Sequence, residues 1–286
     1  MTIEQRIEVA LSDAVARASC PGAPAKLSGA ISHAVFPGGA RMRPRLCLAV
    51  AEACGVTNRR VSDGAAAAIE LMHCASLVHD DLPCFDDAET RRGKPSVHRA
   101  FSEPIAVLTG DAMIVLAYET LCEAGAESPA VLPPLMRVLS GAVGAPHGII
   151  AGQAWESEPA IDLAAYQRAK TGSLFAAAVQ AGAIAAQSDP APWLAVGEKL
   201  GEAYQVADDL HDVLSTSEEL GKPSGQDRLH ARPNAVTERG LSDSLERLTE
   251  LIGCALAAVP ICKGQSELRA MIEAETHRFI PRRLAA

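Results

Sequence analysis

The chain has 286 residues and a formal net charge of −9, so it is long enough for a sizeable core in one large domain or two small ones. Its acidic balance excludes nucleic acid as an expected partner, because phosphate backbones are bound by basic faces, and any anionic ligand must be caught by a local cluster of cations. Hydrophobic residues make up 48% but aromatics only 3%, the rest being largely alanine and leucine, which favours closely packed helices over sheets.

The first segment, MTIEQRIEVALSDAVARA, is amphipathic and charged and has no signal-peptide core. Apolar stripes of helical period run over 3–18, 45–54, 61–81, 105–124, 130–143, 162–187, 191–214, 241–258 and 265–279, punctuated by Gly and Pro. Residues 20–24, 188–192 and 221–225 read as connectors, and none is long or polar enough to mark a domain boundary. No stretch alternates as a strand, and no run of about eighteen apolar residues is free of polar interruption, so no membrane span is expected. The eight cysteines form no CxxC pair and read as free thiols of a reducing compartment. The expectation is a single all-α domain over 1–286, soluble and cytoplasmic.

Two acidic clusters each follow a long apolar helix: Asp80-Asp81-Leu82-Pro83-Cys84-Phe85-Asp86-Asp87 and Asp208-Asp209-Leu210-His211-Asp212. Carboxylates at this density repel one another unless cations lie between them. Asp208 and Asp212, four apart, project from one helical face with Asp209 alongside. Pro83 should interrupt the first helix after Asp80 and Asp81, letting Asp86 or Asp87 swing back toward them. Hard oxygen donors without Cys or His at metal spacing favour Mg2+, which completes its shell with water and substrate phosphates. A phosphate or diphosphate substrate is therefore expected, held in a cavity shared by the acidic ends of two bundle halves.

Cations flank the first cluster. Arg91-Arg92-Gly93-Lys94-Pro95 follows it in a loop shaped by Gly and Pro, and Gly38-Gly39-Ala40-Arg41-Met42-Arg43-Pro44 precedes it. A basic cluster is most often a solvated face, but the arginine fork suits diphosphate oxygens. His73, two turns before Asp80 on nearly the same face, joins this group, as do Lys170, Thr171 and Lys222.

GGARMRP, ELMHCASLVHDDLPCFDDAETRRGKPSVH, AGQAWE, AKTGSLF, AYQVADDLHDVL and GKPSGQD occur in one order over nearly the whole chain. This series resembles the trans-isoprenyl diphosphate synthases, and its fuller pattern is similar to the geranylgeranyl diphosphate synthases of carotenoid-producing bacteria. The resemblance implies an all-α isoprenoid-synthase bundle around a central cavity, usually a homodimer, with magnesium at both aspartate motifs. It implies Asp80, Asp86 and Asp208 as principal metal ligands, supported by Asp81, Asp209 and Asp212. Arg91, Lys170 and Lys222 would grip the allylic diphosphate, Arg43, His73 and Arg92 isopentenyl diphosphate, and Thr171 and Gln205 would face the allylic cation. Two positions depart from the pattern: Ala40 and Gln226 stand where the family usually has lysine. The first removes a contact of about 1.5–3 kcal/mol unless Arg41 takes its place.

Product length should follow from the space below the first cluster, where Ala75 and Ser76 are small. An aromatic side chain at the position of Ala75 closes the pocket in related farnesyl diphosphate synthases, so alanine favours a twenty-carbon product. The deeper floor falls to Met72, Met113 or Leu116. Three competing readings have their own signatures. Farnesyl diphosphate synthesis would stop at fifteen carbons, an HD-type phosphohydrolase would use His79-Asp80 and His211-Asp212 as metal ligands, and a regulatory subunit would be inactive alone.

Overall fold

In the computed structural model, residues 1–36, 38–160, 162–214, 236 and 239–279 are described. Local sequence sets the helix starts. At α1, Ile3–Arg17, Thr2 and Gln5 form a reciprocal capping box. Asn58 accepts from the Arg60 amide to begin α4, Arg59–Asp80, and Ser102 with the proline behind it opens α6, Glu103–Gly125. Between these lie α2, Ala25–Val35, α3, Met42–Ala53, and the short α5, Val97–Ala100. Then follow α7, Leu132–Val143, α8, Ile149–Ala154, and α9, Leu163–Gln167, which runs through a π-helical turn, Arg168–Gly172, into α10, Ser173–Ala185. Helices α11, Leu194–Leu214, α12, Leu241–Ala258, and α13, Gln265–Thr276, follow, and a 3-10 turn, His277–Phe279, ends the described chain.

The all-α bundle expected from composition is what forms. Helix α10 is its axis, apolar on all sides because two cores meet on it. Ala177, Ala178 and Ala181 join the core of α1, α2, α4, α6 and α7, while Phe175, Val179 and Ala183 join that of α3, α11, α12 and α13. Small residues let backbones approach closely: a Cβ on Gly64 of α4 would lie 2.3 Å from the Ala124 Cβ of α6. Helices α4 and α6 are long and apolar enough to cross a membrane; both contribute to this core, with 78% of the apolar stretch of α4 and 44% of that of α6 buried.

Four differences from the sequence reading stand out. Helices α2, α5 and α8 lie outside the expected stripes, and α3 starts before residue 45. The stripe over 162–187 is broken by the π turn. A two-residue antiparallel ladder pairs Thr90 with Pro95 and Arg91 with Lys94, with Arg92 and Gly93 both at positive φ in the turn. Strands of two residues are too short to show alternation, so this hairpin left no periodic signal.

Candidate active site

Helix α4 ends where Pro83 requires, with Asp81 as its C-cap. The chain then folds back so that the Asp86 amide donates to the Asp80 carbonyl at 2.9 Å. This resolves the choice between Asp86 and Asp87. Asp86 lines the cavity with Asp80, whereas Asp87 turns toward His98 and Arg99, at 3.5 and 3.1 Å. Across the cavity Asp208 and Asp212 project from the last two turns of α11. Both acidic faces thus sit at helix C-termini, where the helix dipole disfavours negative charge.

The cavity has a volume of about 1080 Å3. Its upper wall holds Asp80, Asp86, Asp208, Asp212, Arg43, His73, Arg91, Arg92, Lys170, Thr171 and Gln205. Asp80 Oδ1 is buried without a hydrogen-bond partner among the described residues, and the nearest cation, Lys170 Nζ, stands 3.5 Å away. Burial raises the Asp80 carboxyl above the usual range, and Asp86 and Glu156 push it the same way against the pull of Lys170 and Arg91. A buried carboxylate oxygen without a donor, facing further carboxylates, fits a hard divalent cation. Among the described residues no three His, Cys, Asp or Glu side chains converge into a ready-made cage.

The second aspartate of each motif turns inward instead. Asp81 is 2% exposed and accepts Arg91 Nε at 2.9 and 3.2 Å on its two oxygens, and Arg91 Nη2 adds a closer contact. Asp209 is 1% exposed and accepts from Gln205 Nε2 at 2.9 Å. Neither lines the cavity. Burial raises the Asp81 carboxyl overall, while the net pull of Asp81 keeps Arg91 charged despite its own desolvation.

The basic side is also built from the bundle. Arg43 stacks over the rings of Phe175 and Tyr204, at 4.5 and 5.3 Å, and lies 3.5 Å from His73 Nε2. Burial, then the neighbouring arginines Arg43, Arg92 and Arg91, push the His73 imidazole well below its ordinary pKa and keep it neutral. Arg92 rests on Gly39, and its Nη2 is 3.7 Å from Glu70. Ala40 lines the cavity, but Arg41 does not take the missing lysine's place. It points into the protein, bonded to Glu8, Glu70 and the Val35 carbonyl. Lys94 is likewise diverted, onto the Phe36 carbonyl at 2.8 Å. Lys222 and Gln226 lie outside the described residues.

On the opposite wall, the π turn directs Lys170 and Thr171 to the cavity. Gly201 of α11 permits this, since a Cβ there would lie 2.5 Å from the Gly172 Cα. Thr171 Oγ1 donates to Gln205 Oε1 at 2.7 Å. Below, Ala75 and Ser76 line the space with Met72, Ile114, Val143, Ile149 and Leu174. Of the three expected floor residues only Met72 is there. Met113 and Leu116 are packed in the core, because their helical phase on α6 turns them away while Ile114 faces in.

A polyprenyl synthetase family model matches residues 24–259. The chain belongs to that family. Over its full length it is 54% identical to the geranylgeranyl diphosphate synthase of Cereibacter sphaeroides, covering 99% of that protein. It is 48% identical to the geranylgeranyl diphosphate synthase of Rhodobacter capsulatus over 98% of this chain and 97% of the other. A geranyltransferase from Helicobacter pylori, solved with magnesium and isoprenyl diphosphate, superposes with a TM-score of 0.79 at 31% identity over 88% of both chains.

Within this polyprenyl synthetase, Glu156 is a site residue to which the sequence reading gave no role. Its Oε1 accepts from Lys170 Nζ at 2.5 Å and Tyr166 Oη at 2.8 Å, and its Oε2 accepts from Gln153 Nε2 at 3.0 Å. The signal was the i,i+3 spacing of Gln153 and Glu156 in AGQAWE, one helical face. The HD reading finds no support in His79, whose Nε2 lies against the Val107 carbonyl, 3.2 Å away, and Asp111, at 3.7 Å.

Proposed function

We propose that this chain is a magnesium-dependent prenyltransferase that condenses isopentenyl diphosphate with allylic diphosphates to give geranylgeranyl diphosphate. It acts as one domain over 1–286, as a cytoplasmic homodimer, and supplies carotenoid biosynthesis. The observation that carries this is the cavity itself, with two acidic faces and a set of cations around its upper wall and an apolar shaft beneath them. The sequence relatives that cover nearly the whole chain support the product.

Asp80, Asp86, Asp208 and Asp212 would hold the magnesium, whose charge neutralises a bound diphosphate and eases its departure. Arg91 and Lys170 grip the allylic diphosphate and take up charge on its leaving oxygen. Arg43, Arg92 and neutral His73 hold isopentenyl diphosphate so that its double bond lies against the allylic carbon, an arrangement that converts a bimolecular encounter into a local one. The carbonyl oxygen of Gln205 and the Thr171 hydroxyl oxygen face the carbon on which positive charge develops. Condensation forms one carbon–carbon bond, expels diphosphate and loses one proton, for which the departing diphosphate is the nearby base. The prenyl tail descends past Ala75 and Ser76. Product analysis after incubating the purified protein with isopentenyl diphosphate and each allylic primer tests the proposal. Twenty-carbon diphosphate is expected, fifteen-carbon product alone would make it a farnesyl diphosphate synthase, and orthophosphate without condensation would remove it from the class.

A further inference from the structure

Asp208, His211 and Asp212 of α11 face the cavity, whereas Asp209 between them is 1% exposed and lies off its wall. One residue along a helix is a rotation of about 100°, so the helix carrying Asp208 into the cavity carries Asp209 away from it. One turn back, Gln205 reaches across to that buried carboxylate and donates from Nε2 at 2.9 Å, while its Oε1 accepts from Thr171 at 2.7 Å. We infer that Asp209 is a positioning residue that fixes the amide of Gln205, and through it the hydroxyl of Thr171, rather than a metal ligand.

A carboxylate only accepts hydrogen bonds, and a glutamine amide presents a donor on one side and an acceptor on the other. With Asp209 behind it, the NH2 of Gln205 must face the protein. The flipped amide would set one acceptor against another. The carbonyl oxygen is thereby held toward Thr171, and the Thr171 proton is committed to that oxygen. The threonine's lone pairs are then left to face the cavity. Two electron-rich oxygens are thus aimed before substrate arrives, and no reorientation is needed when positive charge develops. An amide without this anchor is free to turn its donors toward the same point.

The inference rests on the prenyl-transfer reading, and a double-mutant cycle of Asp209→Asn with Gln205→Leu tests it, with Asp208→Asn as the metal-ligand comparison. Asp209→Asn keeps the shape but no longer dictates which way the Gln205 amide lies. Its kcat should fall roughly tenfold, the equivalent of one charge-assisted hydrogen bond, with the magnesium concentration for half-maximal rate and both KM values unchanged. In the Gln205→Leu background the same substitution should have no further effect. Should Asp209→Asn not fold, Asp209→Ser, whose hydroxyl can donate as well as accept, carries the same comparison. A magnesium requirement that rises as it does in Asp208→Asn, or an undiminished loss in the Gln205→Leu background, overturns the inference. Absence of carbon–carbon bond formation by the wild-type protein would instead overturn the reading on which it rests.

Discussion

Arg41 donates from Nη1 to Glu70 Oε1 at 2.7 Å, and both side chains are buried. Burial disfavours the guanidinium charge, but Glu70 and Glu8 outweigh it and raise the Arg41 pKa. Removing one partner of such a pair strands the other. Arg41→Ala should therefore destabilise the protein by about 3–5 kcal/mol, measurable by denaturant unfolding. Because Arg41 is committed to this pair, the cavity wall at Ala40 stays short of a cation. Ala40→Lys should tighten isopentenyl diphosphate about tenfold and leave the allylic KM unchanged, and equal effects on both would show that the lysine reaches the wrong diphosphate.

The partly buried Asp80 carboxylate, with Asp86 and Glu156 beside it, costs stability in the metal-free protein. Its folded-state pKa lies above the unfolded value of about 3.9, so its favourable contribution is complete below that pH and is lost as pH rises through the raised value. In excess chelator Asp80→Asn should melt higher than wild type at neutral pH, with the gain vanishing below about pH 4. Thermal melts across pH would sink this if the variant melted lower at pH 7.

The same substitution should abolish turnover, as should Asp86→Ala and Asp208→Ala, with the fold retained. Activity should disappear in chelator and return with Mg2+. Full activity in excess chelator would end the metal assignment.

Arg91 is locked to Asp81, while Arg92 and Arg43 cluster with His73, Gly39 and Glu70 on the other side of the hairpin. Arg92→Ala and Arg43→Ala should weaken isopentenyl diphosphate more than the allylic substrate, and Arg91→Ala the reverse, each by roughly ten- to a hundredfold. Separate KM measurements for the two substrates check the division.

Ala75 is 2% exposed in the shaft wall above Met72. Ala75→Tyr should block descent of a fifteen-carbon tail, shifting product to farnesyl diphosphate while total condensation survives. Overfilling the packed wall should cost about 1–3 kcal/mol of stability. Predominantly twenty-carbon product from an intact variant would place the tail elsewhere.

The sequence alone determined that the chain is helical, since alanine-rich stripes of period 3.6 and caps such as Thr2 with Gln5 are local matters. It also determined that each aspartate cluster stands at the end of a long apolar helix and that the first helix breaks at Pro83, because helix phase and proline sterics act within a few residues. The tertiary structure decided what each polar group faces. Asp86 rather than Asp87 turns back because a backbone hydrogen bond to Asp80 closes that loop, and Arg41 is removed from the site by Glu8 and Glu70, which approach from other helices. Asp81 and Asp209 look equivalent to their neighbours in sequence, yet lie buried against Arg91 and Gln205. Glu156, with no assigned role in the sequence reading, becomes the anchor of Lys170. Such assignments depend on contacts between residues far apart in the chain, where burial and the nearest partner, rather than local spacing, set the energy of a charge.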